Sequence, residues 1–155
     1  MGKKVKQDRR SKPQAAISIV ITDLDNTLFD WVDIWYKSFK AMLDRLVSDS
    51  GVPTEQLETE FKEVFQKHGT AEYAFAIEEL PSLRKSHPEE TLAKKYEQAI
   101  TEYRLARKKA ICFYPDVRET LDTLKDIGCL LVGYTESMAF YTNYRMRALG
   151  LDRTL

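Results

Sequence analysis

Residues 19–30 read IVITDLDNTLFD, a β-branched run followed at once by two aspartates and a threonine. The run predicts a short, buried strand of the parallel type over residues 17–22, because it leaves almost no polar face. Side chains two residues apart on a strand point the same way, so we expect the carboxylates of Asp23 and Asp25 to crowd together where the chain leaves the sheet. Two like charges that close need a cation or a shared proton. The stretch therefore predicts a reactive loop at a strand end of an α/β protein.

The segment that follows reads as all-helical, because its apolar residues recur at steps of three and four. We expect helices over residues 31–50, 54–68 and 70–80, and a long helix from the start signal at residues 86–90 to about Lys109. The α/β pattern then returns. It predicts a helix opened by Asp116, a second strand over residues 130–134, and a last helix with Ser137 at its N-cap.

The pattern DxDxT formed by Asp23, Asp25 and Thr27 resembles motif I of the haloacid dehalogenase-like (HAD) superfamily of aspartate-nucleophile phosphohydrolases. The pattern stands after an apolar strand and before an amphipathic helix, which is the context that such a motif requires. Residues 113–128, FYPDVRETLDTLKDIG, are similar to the segment by which these chains re-enter their core. Residues 132–137, VGYTES, look like motif II.

The resemblance implies an α/β fold with a partial HAD-like Rossmannoid core, of which strands 1 and 2 are present, and an inserted all-helical cap. The core would comprise residues 15–30 and 111–155, and the cap residues 31–110. In a capped member of the family, a lysine (motif III) and an acidic pair (motif IV) lie downstream of the position of Leu155. We therefore expect this chain to stop before the residues that complete the site.

The resemblance also implies a role for each polar residue of the two motifs. Asp23 would be the nucleophile, and Asp25 would be the general acid of the first step and the general base of the second. Thr27 would brace the loop by bonding backbone groups, Thr135 would donate its hydroxyl to a phosphoryl oxygen, and Glu136 would contact the phosphate at the backbone turn. Mg²⁺ would be held by the carboxylate of Asp23 and the main-chain carbonyl of Asp25, an oxygen donor set that suits this ion.

We expect a magnesium-dependent phosphatase that acts on a small phosphorylated metabolite through an aspartyl-phosphate. A phosphomutase needs the same residues and stays open as an alternative, whereas Asp25 argues against a dehalogenase. A second alternative, from another class, is a non-catalytic HAD-like binding module whose open sheet edge docks with a partner. Asn26 stands where the motif often has glycine, a mild departure because asparagine tolerates a left-handed backbone.

Composition adds few constraints on partners. The 24 Lys and Arg residues balance the 24 Asp and Glu residues, so net charge gives no argument for a nucleic acid or a membrane as partner.

Residues 1–14 are basic and predict a disordered tail, without the apolar stretch of a signal peptide. Cys112 and Cys129 lack CxxC spacing, which favours reduced thiols in a cytoplasmic protein. The sequence leaves the oligomeric state open.

Overall fold

The computed structural model describes residues 17–155, which form two compact units. Residues 17–30 together with Ile111–Leu155 make the first, which we call the α/β unit. The second, the helical unit, is Trp31–Ala110. The predicted basic tail over residues 1–14 lies outside the described residues.

The elements follow the chain in a simple order. They are β1 (Ile19–Asp23), α1 (Trp31–Ser50), α2 (Thr54–His68), a 3₁₀ helix (Ala76–Glu79), α3 (Pro81–Ser86), α4 (Leu92–Lys95), α5 (Glu97–Ala110), α6 (Val117–Asp126), β2 (Leu130–Tyr134) and α7 (Ala139–Ala148). Among the described residues, no helix has both the length and the apolar composition needed to cross a membrane.

The helical unit has its own apolar core. The apolar residues that recur at steps of three and four along α1 face this core, and α1 packs mainly against α5. Side chains from every helix of the unit join this core, including Leu46, Leu57, Phe61, Leu83, Leu92 and Ala99. α2 ends at His68 and is followed by Gly69, whose φ of 66° is the left-handed conformation expected just after a helix C-terminus.

Two helix predictions for this unit are wrong. Residues 70–80 contain only the 3₁₀ helix, and the long helix predicted to begin near residue 86 begins at Leu92 and is interrupted at Tyr96. The carboxylate of Glu78 accepts hydrogen bonds from the backbone amides of Leu92, at 3.1 Å, and of Ala93, at 2.8 Å. This contact satisfies amides at the N-terminus of α4, so it fixes the start of the helix from outside the local sequence.

The sheet of the α/β unit consists of β1 and β2, which pair in parallel from Ile19 opposite Leu130 to Asp23 opposite Tyr134. One face carries the buried side chain of Leu131. The opposite face is open, and Ile21 is 70% exposed on it. The prediction of a strand buried on both faces is therefore wrong, because the described residues cover one face only.

Candidate active site

The loop after β1 is held in place by three apolar side chains. Leu24, Leu28 and Phe29 are buried, and the amide of Leu28 donates to the carbonyl of Leu24 at 2.9 Å. Asn26 has a φ of 58°, the left-handed conformation expected for it, and its amide donates to the carbonyl of Phe29 at 2.8 Å. Burial of the apolar residues thus fixes the backbone and leaves the side chain of Asp23 exposed.

Asp23 and Thr27 contact each other at this loop. The hydroxyl of Thr27 donates to Oδ2 of Asp23 at 3.3 Å. The threonine therefore contacts a side chain, where a bond to backbone groups was expected. An exposed carboxylate at the end of a strand is accessible to a solute, as a nucleophile must be.

Asp25 lies in a denser network that joins the two motifs. Its Oδ2 accepts hydrogen bonds from the hydroxyls of Thr135, at 3.0 Å, and Ser137, at 2.8 Å. Its Oδ1 pairs with Nη1 of Arg145 at 3.0 Å. The Asp25 side chain is 20% exposed and that of Arg145 only 8% exposed, so water screens this ion pair weakly. Residues far apart in sequence thus meet at the carboxyl ends of β1 and β2.

The turn after β2 brings Thr135 and Ser137 to this carboxylate. The amide of Ser137 donates to the hydroxyl oxygen of Thr135 at 3.0 Å, which closes the turn. The prediction that Ser137 caps the last helix is wrong. α7 begins at Ala139, and the Ser137 hydroxyl is bonded to Asp25 instead. Glu136 is exposed and accepts a long hydrogen bond, 3.5 Å, from the hydroxyl of Tyr134.

The oxygen donors at this edge of the sheet fit a magnesium ion. Within residues 17–155, no three His, Cys, Asp or Glu side chains are grouped as a metal site. Mg²⁺ needs few protein ligands because it keeps several waters, so a carboxylate and a carbonyl can suffice. Both side-chain oxygens of Asp25 already accept hydrogen bonds. The family resemblance implies the carboxylate of Asp23 and the main-chain carbonyl of Asp25 as the ligands of this ion.

Two residues of this site, Ser137 and Arg145, have no functional role in the sequence-based prediction. Arg145 sits four residues from Tyr141 and four from the buried Leu149, so it shares a helix face with them. An arginine one turn from a tyrosine and one turn from a leucine is the signal that could have singled it out. Its partner Asp25, 120 residues away, gives no such signal in the sequence.

The family described as haloacid dehalogenase-like hydrolase matches residues 20–155 of the chain. The chain belongs to this family. The predicted fold class, a partial α/β core with an inserted helical cap, is thereby confirmed. A comparison with curated protein sequences finds no match.

The chain is also similar to a solved structure. This is the crystal structure of a predicted phosphoglycolate phosphatase from Haemophilus somnus 129pt. The identity is 20% and the TM-score 0.43, and the match covers 90% of this chain and 60% of that one. The chain thus spans about three fifths of the length of that protein.

Proposed function

We propose that this HAD-like hydrolase is a magnesium-dependent phosphatase that acts on a small phosphorylated metabolite through an aspartyl-phosphate on Asp23. The contact between Asp25 and Thr135 carries the proposal, because it joins the two motifs at one edge of the sheet. Membership of a hydrolase family that matches residues 20–155 supports the same reaction class. The two free cysteines, Cys112 and Cys129, suit a cytoplasmic location.

In the proposed first step, a carboxylate oxygen of Asp23 attacks the phosphorus and the bond to the ester oxygen breaks. Asp25 donates a proton to that leaving oxygen. In the second step, water attacks the phosphorus of the aspartyl-phosphate and gives its proton to Asp25. The bond to Asp23 then breaks and inorganic phosphate leaves.

The polar groups around the two aspartates suit these steps. Thr27 contacts the carboxylate of Asp23. The hydroxyl of Thr135 bonds Asp25, and in the proposed reaction it would bond a phosphoryl oxygen. Glu136, one residue further on, borders the same turn. Mg²⁺, held by Asp23 and the carbonyl of Asp25, would supply positive charge that stabilises the phosphoryl oxygens.

The experiment compares hydrolysis of a panel of phosphate esters, with and without Mg²⁺, by the wild type and by Asp23→Asn. We expect the substitution to lower kcat about a thousandfold or more, because it removes the nucleophile. Asp126→Asn is the matched control, because Asp126 is exposed on α6 and the change in charge is the same. Equal rates for the wild type and Asp23→Asn would overturn the nucleophile assignment.

A second candidate function is a non-catalytic binding module, which the open face of the sheet favours. Ile19, Ile21 and Leu130 are all more than half exposed there, and contiguous exposed apolar side chains mark interaction surfaces. If this candidate is right, the folded wild type hydrolyses no phosphate ester with Mg²⁺. Charged substitutions at Ile21 would then abolish binding to the partner without unfolding the chain.

A further inference from the structure

We propose that Arg145 is a positioning residue for the reaction, which holds the carboxylate of Asp25 both directly and through the hydroxyl of Ser137. The inference deepens the proposed function and rests on it, because Asp25 is the acid and base of that reaction. Arg145 lies outside motifs I and II, and neither motif assigns it a role.

Arg145 makes two contacts with one nitrogen. Its Nη1 lies 3.0 Å from Oδ1 of Asp25 and 3.1 Å from the hydroxyl oxygen of Ser137. That hydroxyl donates its single proton to Oδ2 of Asp25, so its oxygen is free to accept from Arg145. The three side chains therefore form a closed ring in which each hydrogen bond has a consistent direction.

The ring fixes the rotation of the Asp25 side chain. Both carboxylate oxygens have a partner on a different element, since Ser137 follows β2 and Arg145 belongs to α7. Thr135 adds a third donor on the same oxygen as Ser137. A carboxylate held at both oxygens cannot turn without breaking a bond to one of these elements.

Arg145 is itself held in place. It is one of the few charged residues buried in the described part of the chain, with 6% of its surface exposed. Its guanidinium carbon lies 6.0 Å from the centre of the Tyr141 ring, and the buried Leu149 lies one turn further along the chain, just after the end of α7. A donor fixed by packing on a helix holds a reactive group more precisely than a donor on a loop.

The position of Asp25 matters because proton transfer requires hydrogen-bond distance to the reacting oxygen. A displacement of about 1 Å can cost about a hundredfold in rate. Arg145 bonds the carboxylate of Asp25, the group that transfers the proton in the chemical steps. Its loss should therefore lower kcat more than it raises KM.

The test measures kcat and KM with Mg²⁺ for the wild type, Arg145→Ala, Arg145→Lys and Ser137→Ala. We expect kcat to fall between about tenfold and a hundredfold in Arg145→Ala, with KM within about twofold of the wild type. Arg145→Lys should recover part of the loss, because lysine keeps the charge and one donor. Arg147→Ala is the matched control, because Arg147 is exposed on the same helix, and it should behave as the wild type.

The outcomes separate this inference from the proposed function. No turnover by the folded wild type would overturn the proposed function, and the role of Arg145 with it. Normal kcat in Arg145→Ala, with turnover that still depends on Asp23, would overturn the role of Arg145 alone. Equal loss in Arg145→Ala and Arg147→Ala would also contradict it. If Arg145→Ala does not fold, an unchanged kcat in Ser137→Ala overturns the inference.

Discussion

Removal of the Glu78 carboxylate should destabilise the helical unit substantially. In Glu78→Ala the backbone amides of Leu92 and Ala93 lose their acceptor, and Arg84 loses a partner at 2.6 Å. Hydrogen bonds to charged groups contribute about 1.5–3 kcal/mol each when buried, and the Glu78 side chain is 24% exposed. Taking about 1 kcal/mol for each of the three contacts gives a loss of about 3 kcal/mol.

Thermal and urea denaturation measure this loss. For a chain of this size, about 3 kcal/mol corresponds to a decrease in Tm of about 6–12 °C. Glu89→Ala is the control, because Glu89 is exposed and precedes the same helix. A Tm for Glu78→Ala within about 1 °C of the control would refute the reasoning, since the amides of α4 would then not depend on Glu78.

The same carboxylate predicts a dependence on pH. Burial acts to raise the pKa of Glu78, but the amides of Ala93 and Leu92 and the guanidinium of Arg84 outweigh it and lower the pKa below its usual 4.5. An acid whose pKa is lower in the folded state than in the unfolded state adds to the free energy of unfolding. This contribution is fully present above the pKa of the unfolded state and is lost as pH falls through the pKa of the folded state. The Tm difference between the wild type and Glu78→Gln should therefore shrink below about pH 4.5.

Two further substitutions test other parts of the chain. Hydrogen bonds from Lys67, His68 and Tyr73 lower the pKa of Glu79 to about 2. The Tm difference between the wild type and Glu79→Gln should therefore persist at pH 5. It should disappear as pH falls from about 4.5 through 2. A difference that stays constant over this range would contradict that assignment. A Cβ on Gly133 would lie 3.0 Å from the side chain of Leu24, which separates the two aspartates of motif I. Gly133→Ala should therefore cost about 1–2 kcal/mol in urea denaturation and lower kcat, and an unchanged urea midpoint would show that the loop absorbs the methyl group.

Local patterns in the sequence predict much of this fold. The apolar periodicity of residues 31–50 gives the bounds of α1, and the apolar run before Thr135 gives β2. These elements follow from neighbouring residues, because an amphipathic stripe or a short apolar run is written within one segment. The family resemblance adds the division into a core and an inserted helical segment.

Contacts between distant segments account for the differences. The start of α4 depends on Glu78, and the hydroxyl of Ser137 bonds Asp25 where a helix cap was expected. A serine just before a helix can either cap that helix or bond a distant carboxylate. The local sequence is the same in the two situations, so it does not distinguish them. The pairing of Arg145 with Asp25 spans 120 residues and becomes visible only when β1, β2 and α7 are assembled.

Both tryptophans of the chain, Trp31 and Trp35, lie on α1, where their rings stack and the indole N–H of Trp35 donates to the carbonyl of Ala71 at 3.0 Å. Intrinsic fluorescence excited at the indole band therefore reports on side chains of α1, in the helical unit. Far-ultraviolet circular dichroism follows the helices of both units. Melting curves recorded by the two methods on one sample would coincide if the units unfold as a single cooperative block, and would separate if each melts independently.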